Sequence, residues 1–196
     1  DMTKMSSLTY RLYTIISLPL ALLGYALSYP LISRLFPAYL PGTRALELLI
    51  LFITATMPFQ ALSTFLIAAK KNYRPFIIIG VLSAAEVVGV SYILIPKFNI
   101  IGAAVAQSLN AILTSLLLIA FSMQQGIFVM NRKNMLTALL VIIALFGIFN
   151  WEIALVAVLL GIKLTGIIEK EDVNIFVDFA PVQLKRIVGL LAILAI

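Results

Sequence analysis

One acidic residue, Glu86, lies near the centre of the apolar stretch Phe76–Ile95, and Ser83 precedes it by three residues, on the same face of a helix. A carboxylate at the centre of a membrane helix costs roughly 2.5 to 3.5 kcal/mol on insertion-based scales. It must therefore face a wet cavity, pair with a cation or carry a proton. Two interpretations remain open: a proton- or cation-coupled or cavity-lining group, or a neutral side chain that is hydrogen-bonded between helices for packing alone.

Amides and hydroxyls form two further rows within apolar stretches. The first row, spaced for one helical face, is Ala103, Gln107, Asn110 and Thr114. The second row is Thr56, Gln60, Ser63 and Thr64. Such groups suit a lumen that accepts sugar hydroxyls, although interhelical hydrogen bonds of ~0.6 kcal/mol each are an equally good explanation. The candidate cavity or substrate-contact residues are Gln60, Glu86, Gln107, Asn110 and Thr114.

The missing residue types narrow the chemistry. The chain has no cysteine and no histidine, which removes thiolate chemistry and the commonest general base and metal ligand. The acidic cluster Glu169, Glu171 and Asp172 lacks a calcium-loop pattern and is interpreted as a solvated surface. We predict no catalytic residue, no metal site, no cofactor and no enzymatic activity.

Six apolar stretches must position the candidate side chains. They are Leu12–Leu35, Leu46–Ala69, Phe76–Ile95, Ile100–Phe121, Met135–Phe149 and Ile153–Ile168. A spanning helix needs roughly 20 apolar residues, and the first four stretches meet this length. The last two, with 15 and 16 residues, are interpreted as a hairpin of short helices, with a re-entrant pair as the alternative.

Basic residues are sorted by the loops between these stretches. If each stretch crosses a bilayer once, 11 of the 14 Lys and Arg residues lie on one side, and only Arg34, Arg44 and Lys97 lie on the other. Cytoplasmic loops of membrane proteins carry such an excess. The pattern predicts a multi-pass protein of the cell (cytoplasmic) membrane, with both ends of this segment in the cytoplasm.

Composition agrees with a membrane location. The apolar fraction is 63% and the charged fraction 11%, whereas soluble domains are about half apolar and a quarter charged. We therefore exclude a nucleic-acid binder despite the net charge of +6. The predicted fold class is an all-α integral membrane protein with about six transmembrane helices. Residue pairs with small-xxx-small spacing are expected to let these helices approach closely, namely Gly80/Ala84, Ala85/Gly89 and Gly102/Ala106.

The segment Leu94–Ala106 reads LIPKFNIIGAAVA. It resembles the "IPkfGiiGAAia" signature in the C-terminal half of O-antigen-type polysaccharide flippases, within the multidrug/oligosaccharidyl-lipid/polysaccharide exporter superfamily. Shorter matches follow in the same order at Leu18–Leu22, Leu35–Tyr39, Ala68–Lys71, Glu171-Asp172 and Ala180-Pro181. Two positions depart from the family pattern: Asn99 and Pro37 stand where Gly is common.

The resemblance implies two helical bundles with a central cavity that opens alternately to either side. Residues 1–123 would form a four-helix part of the C-terminal transmembrane bundle, residues 124–168 a terminal helical hairpin, and residues 169–196 a cytoplasmic or interfacial tail. The final apolar stretch, Ile187–Ile196, is either an interfacial tail or a span cut short. Because the chain starts at Asp1, we expect a piece of a longer protein whose N-terminal bundle is a partner of this one.

The implied function is flipping of lipid-linked oligosaccharide or polysaccharide precursors, with a lipid-linked glycan and membrane lipids as partners. Glu86 would serve coupling or headgroup polarity, and Gln60, Gln107 and Asn110 would contact sugars. One alternative is a cation-coupled drug or metabolite exporter of the same superfamily. Alternatives of other classes are a membrane-embedded glycosyltransferase or ligase, and a structural anchor.

Overall fold

The computed structural model describes residues 2–70 and 73–167, and all regular elements of this part of the chain are helical. In chain order they are α1 (Met2–Leu35), a 3₁₀ helix (Pro37–Gly42), α2 (Thr43–Gln60), α3 (Leu62–Lys70), α4 (Arg74–Gln124), α5 (Arg132–Leu145), a 3₁₀ turn (Phe146–Ile148) and α6 (Trp151–Thr165). The predicted all-α class is confirmed. The predicted tail, residues 169–196, lies outside the described residues.

Three helical stretches are long and apolar enough to cross a membrane: Met2–Leu35, Pro37–Ala68 and Arg74–Gln124. Their length and composition support the predicted membrane location. Helices α5 and α6 have 14 and 15 residues, which is shorter than the roughly 20 that a perpendicular span requires. They begin at side-chain caps, because Asn131 and Asn150 each accept a hydrogen bond from the backbone three residues later.

Helix α4 folds back on itself at Asn99. A straight helix of 51 residues would be about 76 Å long, more than twice the hydrocarbon thickness. Asn99 has φ 53° and ψ −131°, which interrupts the helix. A methyl group on Gly102 would clash with the backbone carbonyl of Leu94. These residues therefore join two antiparallel arms, the first arm (residues 74–98) and the second arm (residues 100–124).

Two hydrophobic cores hold the helices together. The larger core joins α1, α2, α5 and α6, and at its centre the ring of Tyr10 lies 5.2 Å from the rings of both Phe59 and Phe128. A smaller core, which includes Leu66, Ile79 and Leu118, joins α3 to both arms of α4. The terminal hairpin of α5 and α6 thus packs on the first two long helices rather than standing apart.

Polar contacts bring the start of α1, the end of α4, the start of α5 and the end of α6 to one end of the molecule. The hydroxyl of Thr3 donates to the carbonyl of Gly126 at 3.1 Å. The amide of Asn134 donates to the hydroxyl of Ser7 at 3.1 Å. Asn134 is fully buried, and sequence reasoning missed it because a single Asn in the first turn of a helix looks like a surface residue.

The charge sorting seen in the sequence reappears as two ends of the structure. We call the end just described the basic end; its described cations are Lys4, Arg11, Arg74, Arg132, Lys133 and Lys163. The opposite end carries Arg34, Arg44 and Lys97. There the start of α2 meets the start of the second arm, since a Cβ on Gly42 would lie 3.8 Å from Ile100.

The reversal at Asn99 generates the first prediction. Residues other than glycine cost about 1–3 kcal/mol in such sparsely populated conformations, whereas glycine adopts them readily. A glycine at position 99 would remove this cost, but part of the gain in stability is offset by the greater conformational freedom of glycine in the unfolded chain. We expect Asn99→Gly to stabilise the protein by about 1 kcal/mol, measured as thermal unfolding in detergent. Asn131→Gly is the matched control and should lose a few tenths of a kcal/mol, because Asn131 is a helix cap with negative φ.

Arg11 generates the second prediction. It is buried, and its guanidinium donates to the carbonyl of Ile167 at 2.8 Å, which fastens the end of α6 to α1. Arg11→Met keeps an unbranched stem but removes the guanidinium donors to Ser7 and Ile167, so we expect a loss of about 2 kcal/mol in unfolding free energy. Arg34→Met, at an exposed position near the end of the same helix, should change little. Equal effects of the two substitutions would contradict the fastening role.

Candidate functional site

Glu86 lies between the two arms of α4, midway along the first. It is 12 residues from each end of that arm (86 − 74 and 98 − 86), which corresponds to about 18 Å of helix on either side. Ile79, Ser83 and Glu86 follow at helical spacing and face the second arm. Both carboxylate oxygens of Glu86 are buried, and among the described residues neither has a hydrogen-bond partner.

Asn110 organises the facing part of the second arm. Its side-chain oxygen accepts a hydrogen bond from the Ser83 hydroxyl at 2.6 Å and another, at 3.4 Å, from the hydroxyl of Thr114. Because Ser83 is one helical turn from Glu86, these four residues form one polar cluster: Ser83, Glu86, Asn110 and Thr114. Hydrogen bonds thus join two of the five predicted residues, Asn110 and Thr114, to Ser83 of the other arm, and Glu86 belongs to the cluster by its position one helical turn from Ser83.

The members of the polar cluster differ in their hydrogen bonds. The Ser83, Asn110 and Thr114 side chains satisfy one another, as an interhelical packing role requires. The Glu86 oxygens do not share in these bonds. A buried carboxyl group without a partner is costly, so the packing interpretation lacks the hydrogen bond that it needs. The carboxyl group is therefore the member of the cluster whose hydrogen-bonding capacity is unused within the described residues.

Glu47 provides an internal comparison that sequence reasoning did not identify. It is buried near the start of α2, and its carboxylate accepts a hydrogen bond from the Arg44 guanidinium at 2.9 Å. The spacing of three residues on one helix is the signal that would have revealed the pair. One buried acid of the chain therefore has its cation, and Glu86 remains without a partner within the described residues.

Gln107 lies one helical turn from Asn110, toward the opposite end. Its side chain is exposed and lines a groove of about 300 Å³ between the start of α2 and the start of the second arm. The groove is otherwise apolar, with Ala45, Leu49 and Ala103 in its walls. Gln107 thus continues the row of the polar cluster onto an accessible surface.

Gln60 lies away from the polar cluster. It is exposed at the end of α2, and its backbone carbonyl accepts a hydrogen bond from Ser63 at 2.6 Å. Helix α2 and the second arm start side by side at Gly42 and Ile100 and run toward the basic end. Gln60 is 18 residues beyond Gly42 on α2 (60 − 42). Asn110 is only 10 residues beyond Ile100 on the second arm (110 − 100). The difference places Gln60 about 12 Å closer to the basic end.

The second predicted row therefore does not form one polar surface with Gln60. Thr56 is buried, and its hydroxyl donates to the carbonyls of Phe52 and Ile53 in its own helix. This is the usual way in which a threonine inside an apolar helix satisfies its hydroxyl. Local bonding to the backbone therefore leaves the Thr56 hydroxyl with no free donor for a lumen.

The predicted small-residue pairs differ in whether the described chain supplies a packing partner for them. Gly102 permits the close approach of the two arms. Gly80 and Gly89 are exposed on the first arm, and within the described residues a Cβ at either would meet nothing within 4 Å. Their predicted packing partner is therefore not supplied by the described part of this chain.

No family model matches the chain, and searches of the curated proteins and of the solved structures likewise gave no match. Within residues 2–70 and 73–167 there is also no group of three or more acidic, Cys or His side chains that could hold a metal ion. The polar cluster and the sequence motifs are the features of this chain that bear on its function.

Proposed function

We propose that this chain is part of a membrane transporter that flips lipid-linked oligosaccharide or polysaccharide precursors across the cytoplasmic membrane by alternating access. The observation that carries the proposal is the buried carboxyl group of Glu86, midway along an apolar arm, which has no hydrogen-bond partner within residues 2–70 and 73–167. Ionisable residues in such positions mark substrate or ion pathways. Binding near the midplane, between helices that contain breaks, is the usual arrangement in secondary transporters.

The proposed architecture assigns a membrane span to each arm of α4, in addition to α1, α2–α3 and the two short helices of the terminal hairpin. The sorting of cations to the two ends supports this count and the placement of the basic end in the cytoplasm. In α4, only 6% of the most apolar window is buried within the described chain. We propose that the N-terminal bundle of the same protein packs against this surface, where Gly80 and Gly89 permit close approach.

The proposed roles follow the geometry of the site. Glu86 supplies the group that changes its charge or its partner during transport. Asn110 and Thr114 set the polarity of the path beside it, and Gln107 contacts sugar hydroxyls from the accessible groove. Gln60 lies about 12 Å from this level along the helix axis, so we assign it a contact nearer the cytoplasmic entrance.

A second candidate is a cation-coupled drug or metabolite exporter of the same superfamily. The acidic character of Glu86 favours it, because a buried carboxylate attracts a cationic substrate. The amide and hydroxyl groups around it favour the glycan. Vesicles reconstituted with the full-length protein separate the two functions when offered either a labelled lipid-linked oligosaccharide or a cationic dye.

The stability of Glu86 variants tests whether the residue is retained for function. Replacing an unpartnered buried carboxyl group by an apolar one should raise the unfolding free energy by about 2 kcal/mol, so Glu86→Leu is expected to stabilise the protein in detergent. Glu47→Leu is the matched control and should bring no gain, because Glu47 already has Arg44 as a partner. A destabilised Glu86→Leu variant would show that the carboxyl group has a packing partner.

Transport by Glu86 variants tests the function itself. Glu86→Gln keeps the size of the side chain and removes its charge, so we expect translocation of the labelled lipid-linked oligosaccharide to fall at least about ten-fold, equivalent to ~1.4 kcal/mol of barrier. Glu86→Asp should retain part of the activity. The exposed Glu152 is the control, and Glu152→Gln should transport normally. Wild-type rates in Glu86→Gln at every pH would refute the proposed role.

A further inference from the structure

An apolar groove of about 510 Å³ runs along the outer face of α5 and has a single cationic residue in its lining. The lining includes Arg132, Met135, Leu136, Ala138, Leu139 and Ile142. These residues recur every three or four positions, so the groove follows one helical face. Met135, Leu139 and Ile142 are each at least half exposed, so this face is not used by the two hydrophobic cores.

The dimensions of the groove match one leaflet of a bilayer. From Arg132 to Ile142 is 10 residues (142 − 132), or about 15 Å of helix, which is half of the ~30 Å hydrocarbon core. Arg132 is exposed at the basic end, so the groove begins at a cation and continues as apolar surface toward the middle of the molecule. A headgroup and an acyl chain are arranged in the same order.

We propose that this groove binds an anionic phospholipid of the leaflet at the basic end, with the phosphate at the Arg132 guanidinium and one acyl chain along Met135, Leu139 and Ile142. The site requires the membrane location but does not depend on the transport activity proposed above. Its occupant is a structural lipid of the membrane, separate from any lipid-linked glycan that passes the polar cluster.

Charge complementarity selects this occupant over the alternatives. Guanidinium groups bind phosphate oxygens through paired hydrogen bonds, and basic residues at the cytoplasmic surface attract anionic lipids. A second copy of the chain would bring its own Arg132 toward the first if the same groove formed a two-fold interface, which places like charges together. The flexible side chain of Met135 in the groove lining suits a lipid acyl chain, which has no fixed shape.

The experiment measures lipid retained by the chain of residues 1–196, purified in detergent, in native mass spectra after addition of equal phosphatidylglycerol and phosphatidylcholine. We expect phosphatidylglycerol to be retained about five-fold more strongly by the wild-type chain, the effect of one basic residue near the headgroups. Arg132→Gln should lower this preference several-fold, by the contribution of the one cation that lines the groove. Lys97→Gln, which removes an exposed cation from the opposite end, should leave it unchanged.

A second variant tests the acyl part of the groove separately. Ala138→Trp fills the groove while Arg132 remains, so the retained phosphatidylglycerol should fall several-fold although the charge is intact. Retention unaffected by Ala138→Trp would reduce the site to surface attraction and overturn the proposal. An unchanged preference in Arg132→Gln, equal retention of the two lipids by the wild type, or dimers that exclude lipid would also overturn it. Thermal unfolding of each variant shows that it is folded.

Discussion

The close approach of Gly102 to the backbone of Leu94 decides which residues of the two arms face each other. With the arms in that register, Ser83 lies opposite Asn110 and Ile79 lies near Leu118. A larger residue at position 102 would force the arms apart, because the atom it would meet is a backbone carbonyl that cannot rotate away. The polar cluster around Glu86 is therefore a consequence of a turn that lies well outside it, and the smaller core depends on the same register.

Apolar length and the sorting of charge were sufficient to predict helices, a membrane location and a break near Asn99. The sequence predicts separate stretches at Phe76–Ile95 and Ile100–Phe121, and the structure reverses between them at Asn99, which has a positive φ. The site was predicted less completely. Helical spacing placed Asn110 and Thr114 on one face correctly, but it could not show that Thr56 bonds to its own backbone or that Gln60 lies at a different depth. Glu47 was missed although its partner Arg44 is visible in the sequence three residues earlier, whereas Asn134 was missed because its partner Ser7 meets it only when the helices pack.

Long-range hydrogen bonds of polar side chains connect several elements at the basic end. At the basic end, short polar side chains join the start of α1 to the segment between α4 and α5, as when the hydroxyl of Ser6 donates to the carbonyl of Ile127 at 2.6 Å. These bonds make α1 and that segment a single unit. Buried polar atoms without a hydrogen-bond partner among the described residues occur at both levels, namely Asn134 Oδ1 and Ser122 Oγ at the basic end and both carboxylate oxygens of Glu86 midway along α4. Glu86 differs from the other two in being an ionisable group.

The bond from Arg11 to Ile167 joins residues that are 156 positions apart in the sequence. A chain that grows on the ribosome at about 5–20 residues per second produces Arg11 on the order of 8 to 30 s before the carbonyl that will receive it. The bond that fastens the end of α6 to α1 can therefore form only after synthesis has reached Ile167, whereas the bond from Arg11 to the Ser7 carbonyl is available within the first helix.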